Sequence, residues 1–154
     1  MQDLRDILEQ AQENGVAIGH FNVAGLVLLK AVVAAARELK VPVIIGASEG
    51  EREFIGVRQI AALVRSFRDE FDFPIFLNAD HTHSLDKAIE AAEAGFDSIV
   101  FDLSALPFEE NVRQTKKAIE KLKRSIQLSW WKARSATSEP APKFMKRRLM
   151  CQKA

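Results

Sequence analysis

Apolar and polar positions along the chain switch between two periods. Leu4, Ile7, Leu8 and Ala11 recur at the spacing of one helix face, and Asn14-Gly15 ends that helix. Residues 16–23 form an apolar run that turns polar at Asn22, which predicts a strand. Helical spacing returns from Leu26 to Leu39 and predicts a well-buried helix, closed by the Pro42 that starts a strand at Val43-Ile44-Ile45. Ser48-Glu49-Gly50-Glu51 predicts a polar, glycine-containing loop, and Ile60, Leu63, Val64 and Phe67 mark the next helix. A short apolar run bounded by Pro74 predicts a buried strand, Pro74-Ile75-Phe76-Leu77. Ser84 is placed to cap a helix around Ala88 to Ala94, with Gly95 to end it. Ser98-Ile99-Val100-Phe101 predicts a fourth strand, and Pro107 opens a last helix through Phe108, Val112, Ala118, Ile119 and Leu122.

A leading helix followed by four strand-helix units predicts a parallel α/β sheet wound right-handedly, with its apolar strands covered on both faces. An open doubly wound sheet and a barrel both fit that order. No strand runs into a glycine-rich dinucleotide fingerprint, which disfavours a nucleotide-binding unit. Instead every strand ends in polar groups, Asn22, Ser48, Asp80-His81 and Asp102 with Ser104, where a barrel of this kind places its chemistry. A complete (β/α)8 barrel takes about 250 residues. The expected fold is therefore a truncated TIM barrel: about its first four β/α units, with a leading helix.

Composition narrows the class without changing that picture. The chain has 154 residues, 47% of them hydrophobic, and a formal net charge of +1, enough for one domain with a sizeable core. No apolar run reaches membrane-spanning length, and Met1-Gln2-Asp3-Leu4-Arg5-Asp6 lacks the basic-then-apolar order of a signal peptide, so a cytoplasmic protein without a membrane partner is expected. The single cysteine, Cys151, excludes an internal disulfide and a cysteine-based zinc cluster. Charge is uneven: residues 127–154 hold seven basic side chains against one acidic, so the preceding part is net acidic. Both tryptophans and the cysteine also fall in that tail, and composition changes character near Ile126.

The densest chemistry follows the third strand, at Asp80-His81-Thr82-His83-Ser84. If the chain stays extended there, Asp80 and Thr82 point to one face and His81 and His83 to the other. The two imidazoles can then face one cation, leaving Asp80 free to handle protons. Against this stands a polar loop whose Asp or Ser merely caps the next helix. His20 reads as a packed or capping histidine, and Phe21, Phe54, Phe67, Phe71, Phe73, Phe76, Phe96 and Phe101 read as core. A histidine pair after a strand is also similar to the metal site of amidohydrolase-type barrels, but there it closes the first strand, and here the third.

Five stretches together resemble the class II, zinc-dependent fructose-bisphosphate aldolases and their tagatose-bisphosphate relatives. They are Gly19-His20-Phe21-Asn22-Val23, Pro42-Val43-Ile44-Ile45 with Ser48, Asn78-Ala79-Asp80-His81, Ala94-Gly95-Phe96-Asp97-Ser98 and Leu106-Pro107-Phe108-Glu109-Glu110-Asn111. The match covers residues 1 to about 126. The resemblance implies reversible aldol cleavage of a phosphorylated ketose, a ketose bisphosphate, to dihydroxyacetone phosphate and an aldehyde in glycolysis and gluconeogenesis. It implies that Asp80 shuttles a proton at the substrate hydroxyl, that His81 is a zinc ligand with Asp102 near the metal, and that Asn22 and Ser48 lie on the substrate side. It also implies a homodimer for an intact member. Two positions depart from the common pattern: Asn78 stands where a His is usual, and Thr82 where a Gly is usual. The other zinc-binding His residues, a metal-site Glu and the glycine-rich phosphate loop, which the family takes from its second half, have no counterpart after Ile126.

The tail offers a reason. Trp has a single codon, so Ser129-Trp130-Trp131-Lys132 back-translates as TCN TGG TGG AAR under the commoner serine codons. Read from the third base of the serine codon, this becomes NTG GTG GAA, in which Val and Glu are forced. Synonymous codons through Pro142 let that frame spell Leu-Val-Glu-Gly-Glu-Ile-Gly-Asp-Ile-Gly-Thr-Gly-Ser-Glu, the text expected at a fifth strand. Residues 1–126 are therefore expected to be the N-terminal half of an aldolase-type barrel, and 127–154 a frameshifted, non-native tail on an inactive truncated form. Such a tail owes nothing to selection, so Trp130, Trp131 and Lys146-Arg147-Arg148 are a poor basis for nucleic-acid contact despite their charge.

Overall fold

The computed structural model describes residues 3–135, with side chains described through residue 123. Ten elements follow one another: α1 (Leu4–Glu13), β1 (Gly19–Asn22), α2 (Leu26–Leu39), β2 (Val43–Ala47), α3 (Glu49–Ile55), α4 (Val57–Phe71), β3 (Ile75–Thr82), α5 (Leu85–Ala94), β4 (Ser98–Phe101) and α6 (Phe108–Ser135). All strand pairs are parallel, in the order β1-β2-β3-β4. The leading helix and the four strands are thus where the pattern put them. Asp3 caps α1 reciprocally with Asp6, Ser84 accepts from the Lys87 amide to cap α5, and Gly95 closes α5 at φ 97°, a conformation that glycine adopts without penalty.

Alternation along the strands sorts their side chains into two layers. Val43, Ile45, Ala47, Ile75, Leu77, Ala79 and Ile99 join Leu29, Val33, Ile60, Val64, Ala88 and Ala91 in the main core. The opposite face is apolar only where the strands begin: Ile44 and Phe76 pack with Leu4 and Ile7 of α1, which closes that end of the sheet. Toward the strand ends the same face becomes polar. Asn78 is 5% exposed, takes a hydrogen bond from Ser98 Oγ at 2.7 Å and lies 3.1 Å from His20 Nε2. Gly46 leaves room for this cluster, because a Cβ there would lie 2.2 Å from Asn22 Oδ1 and 2.6 Å from His20 Cε1.

Five expectations change. Strand β1 is four residues long and exposed along its length, not buried on both faces, because among the described residues it pairs with β2 alone. Helix α2 buries Leu29, Val33 and Ala36 but leaves Val27 and Leu39 at 85% and 70% exposure, and it ends at Lys40 in the left-handed region, before Pro42. His20 and Phe21 are exposed on that same edge strand, and Phe54 is exposed on the helix that follows β2, so these two phenylalanines are not core. Residues 49–55 are a helix: Ser48 accepts from the Glu51 amide while the Glu51 carboxylate accepts from the Ser48 amide, a capping box. Finally, β3 runs on through Thr82 but does not stay extended, because its pairing with β4 slips between Ala79 and Thr82. Helix α6 continues past residue 126 to Ser135 without a break, and residues 136–154 of the expected tail lie outside the described residues. Among the described residues, no helix is long and apolar enough to cross a membrane.

Candidate functional site

The C-terminal ends of β1, β3 and β4, with the first turn of α3, bring together four of the five residues singled out from the sequence. Asn22, at the end of β1, donates from Nδ2 to Asp80 Oδ2 at 3.0 Å and lies 3.2 Å from Glu51 Oε2. His81 Nδ1 is 2.7 Å from Asp102 Oδ2, and its Nε2 lies 3.9 Å from Asp80 Oδ1. The Asp80 carboxylate and the His81 imidazole therefore stand side by side, each held by a residue from a different strand end. Ser48 sits at the same end, but its hydroxyl is engaged as the cap of α3. Its expected place on the substrate side thus coincides with a structural task.

Alternation fails at His81. Its φ is 44°, in the left-handed region that β-carbon-bearing residues rarely adopt, and the pairing with β4 slips between Ala79 and Thr82. One residue in this conformation turns Thr82 fully into the interior and leaves the His81 side chain 60% exposed over Asp102. His81 and His83 are not opposite Asp80 across a pleat. Their rings stack with centroids 6.5 Å apart, and His83 Nδ1 donates to the Asp102 carbonyl at 3.1 Å while its amide donates to Glu49 Oε1 at 2.7 Å.

The charges at this tip follow from these contacts. Asp102 is held well below the usual carboxylate range, first by the Ser104 amide at 2.9 Å and then by His81. His81 is shifted upward, mainly by its bond to Asp102 and further by the nearby charge of Asp80. When the imidazole is neutral, the Asp102 carboxylate keeps the proton on Nδ1 and leaves the Nε2 lone pair free toward solvent, the tautomer that a metal ligand requires. A metal site needs more. Zinc takes about four ligands, three of them from protein even in open sites, and among the described residues no three His, Cys, Asp or Glu side chains are grouped to hold an ion. The described residues fit one metal ligand and not a complete metal site.

The sequence reading missed the support beneath the tip. Arg52, 2% exposed, projects from α3 and donates to the carbonyls of Ala47 and Asp80, the latter at 3.2 Å, and to Thr82 Oγ1 at 3.0 Å. Burial pushes its pKa down, while the carboxylates of Glu49 and Asp80 act in the opposite direction. The signal was legible: Ser48-x-x-Glu51 is a capping-box spacing, and reading it would have placed Arg52 in the first turns of a helix pointing at β3. An apolar groove between β1 and α2, lined by Phe21, Val32, Leu39 and Val41, lies on the other layer of the sheet and shares no residue with the tip.

Comparison with known proteins bears on the family and the fold. The family described as fructose-bisphosphate aldolase class-II matches residues 2–127. The chain is 38% identical over 120 residues to the fructose-bisphosphate aldolase of Staphylococcus aureus, a match covering 76% of this chain and 42% of that protein. The Staphylococcus epidermidis fructose-bisphosphate aldolase is 36% identical over the same length. Among solved structures, the YdjI aldolase of Escherichia coli K12 superposes with a TM-score of 0.73 at 32% identity, covering 80% of this chain and 48% of that one. The fructose-bisphosphate aldolase of Campylobacter jejuni gives 0.70 at 27% identity, with 79% and 42% covered. The chain spans less than half the length of these relatives, and its four parallel β/α units are the corresponding part of a TIM barrel. By the family match and the shared fold, the chain belongs to the class II fructose-bisphosphate aldolase family.

Proposed function

We propose that the described half barrel is the proton-transfer half of an aldolase site that cleaves a ketose bisphosphate reversibly to dihydroxyacetone phosphate and an aldehyde. The observation that carries this reading is the pair of contacts at one strand tip, Asn22 with Asp80 and Asp102 with His81. Asp80 accepts the proton of the substrate hydroxyl next to the scissile bond, and Asn22 holds the other side of its carboxylate so that one oxygen faces the substrate. Ser48 lies on the substrate side, its amide and hydroxyl organised by Glu51. The class II family is generally metal-dependent. We propose His81 as one ligand of its divalent metal, zinc, with Asp102 fixing the His81 tautomer. The remaining ligands and the phosphate anchors belong to the length of the relatives that this chain does not span.

On this reading residues 1–154 do not turn over substrate, because the groups that would stabilise developing charge in the transition state are incomplete. The proposal extends to residues 127–154 as out-of-frame text, supported by the family match ending at residue 127 and the forced Val-Glu in the displaced frame. The test is an aldol cleavage assay with added zinc, run on this chain and on one continued in the displaced frame. The expected result is no turnover by the first and zinc-dependent turnover by the second. In the continued chain, Asp80→Ala should lower kcat by about 100-fold or more with little change in KM, as for a general acid-base group. Robust turnover by the short chain would overturn the truncation, and an inactive continued chain the aldolase reading.

A further inference from the structure

Arg52 is the largest buried side chain whose presence the proposed chemistry does not explain. It is a guanidinium at 2% exposure, one of three buried polar or charged side chains among the described residues, with Asn78 and Thr82. A charge is buried at a cost unless donors and acceptors are matched. Its acceptors are three successive points on the site: the carbonyl of Ala47 at the last residue of β2, the carbonyl of Asp80, and the hydroxyl of Thr82. The β2–β3 ladder stops at the Ala47 and Ala79 pair, and the β3–β4 ladder resumes only at Thr82. Asp80 and His81 thus have no register partner on either neighbouring strand. Arg52 supplies the hydrogen bonding that the sheet omits there.

The bulge determines where the chemistry points. In an extended β3, Thr82 would share a face with Asp80, and His81 would turn toward the opposite layer. With His81 at φ 44°, Thr82 is instead drawn inward, where its hydroxyl accepts from Arg52 and donates to the Ala79 carbonyl at 3.4 Å. His81 is released outward to Asp102. We infer that Arg52 is a positioning residue: by gripping the Asp80 carbonyl and the Thr82 hydroxyl together it holds His81 in the left-handed conformation and so sets the relative direction of the Asp80 carboxylate and the His81 imidazole. The capping box delivers it, because Ser48 and Glu51 start α3 where its first turn faces the end of β3. The inference rests on the aldolase reading for its functional meaning and on geometry alone for its truth.

The test uses the full chain labelled with 13C and 15N. Backbone carbon shifts separate left-handed from extended residues, so they report the conformation of His81 directly. The wild-type chain should show His81 as left-handed. Arg52→Met keeps most of the volume and removes every donor, and it should lose the left-handed signature at His81 while the signals of Ile45 and Leu77 stay in place. Arg52→Lys, which can reach one or two of the acceptors, should recover part of it. Thr82→Val removes a single contact and should shift His81 in the same direction by less. A wild-type His81 that is extended, or a left-handed His81 that persists in Arg52→Met, overturns the inference. Should Arg52→Met fail to fold, an unmoved His81 in Thr82→Val overturns it, and a moved one supports it. Aldolase assays on the continued chain are independent of these signals, so failure of the catalytic reading leaves the shift pattern intact and is recognised separately.

Discussion

Strands β1 and β3 belong to one parallel sheet and carry adjoining parts of one site, yet they live in different surroundings. In β3 the first five residues are buried, and the strand is hydrogen-bonded on both sides by β2 and β4. In β1 all four residues are exposed, one edge is unpaired among the described residues, and beside it lies the apolar groove of Phe21, Val32, Leu39 and Val41. The strands differ in residue type, Gly-His-Phe-Asn against a run that opens on Ile75-Phe76-Leu77, and in the number of neighbours. The comparison separates the parts of the site that the chain secures by itself from the part it leaves open. Asp80 and His81 are fixed from below by Arg52 and from the side by Asp102, all within β2 to β4. Asn22, which donates to the Asp80 carboxylate, is carried by the edge.

The largest effect that sharpens this contrast comes from truncating one apolar side chain in each region. Leu77 is 2% exposed at the centre of the main core, and Leu77→Ala should destabilise the chain by about 2–5 kcal/mol, as truncation of a buried leucine does. Val27, 85% exposed on α2 beside the edge, should change stability by less than about 0.5 kcal/mol when replaced by alanine. Urea denaturation midpoints, read with an unchanged slope, measure both. Comparable losses at the two positions would mean that the α2 side is covered in solution by something other than water.

That possibility leads to the next effect. An unpaired parallel edge next to an apolar groove is a template for association, and the chain contains no charged or proline residue within β1 to oppose it. Sedimentation velocity should show concentration-dependent self-association. Phe21, half exposed on β1, is the residue that links edge and groove, and Phe21→Lys should weaken association by about tenfold, the scale expected from removing part of a buried aromatic contact. Phe54→Lys serves as the matched control, being 83% exposed on α3 away from the groove. An equal response to both substitutions would remove the edge as the cause.

The two regions also differ in how readily they could be read from residues. The helix-strand order was legible because Leu26 to Leu39 and Pro74 to Leu77 carry unambiguous periods, and because capping signals such as Asn14-Gly15, Ser84 and Gly95 mark their ends. The apolar run at residues 16–23 misled for a physical reason: apolar content predicts the partner a strand is suited to, and cannot say whether that partner is present. At the site, Asp80, His81, Asn22 and Asp102 were recognisable as polar groups at strand ends. Their arrangement was not, because it depends on the left-handed turn at His81, and that turn depends on Arg52, which is distant in sequence from β3. A glycine would have advertised the turn; a histidine held there by tertiary contacts does not. Glu51 and Arg52 were hidden by reading Ser48-Glu49-Gly50-Glu51 as a loop on the strength of its glycine, although Ser-x-x-Glu is a helix start.

The smallest expected effect concerns protonation at the tip, and it tests whether the β3 side is as self-sufficient as the contrast implies. His81 has its pKa raised by Asp102 and Asp80, so its contribution to folding is fully present below the unfolded imidazole value near 6.5 and is lost as pH rises through the higher folded value. Asp102 has its pKa lowered by the Ser104 amide and His81, so its contribution is present above the unfolded value near 3.8 and is lost as pH falls through the lower folded one. The pair is therefore at full strength between about pH 4 and about pH 6.5. Solvent around the exposed His81 ring screens it, so the effect on global stability is small, and the titration itself is the better reading. Followed by NMR, His81 should titrate above an unperturbed imidazole in the wild-type chain. Asp102→Asn, which keeps the size of the side chain and removes its charge, should bring that midpoint down toward the ordinary range. Phe21→Lys, on the other edge of the sheet, should leave it where it is. A His81 midpoint that follows the state of β1 instead of the charge on residue 102 would mean that the tip is not assembled by β2 to β4 alone, and the contrast between the two strands would fail at the residue where it matters for chemistry.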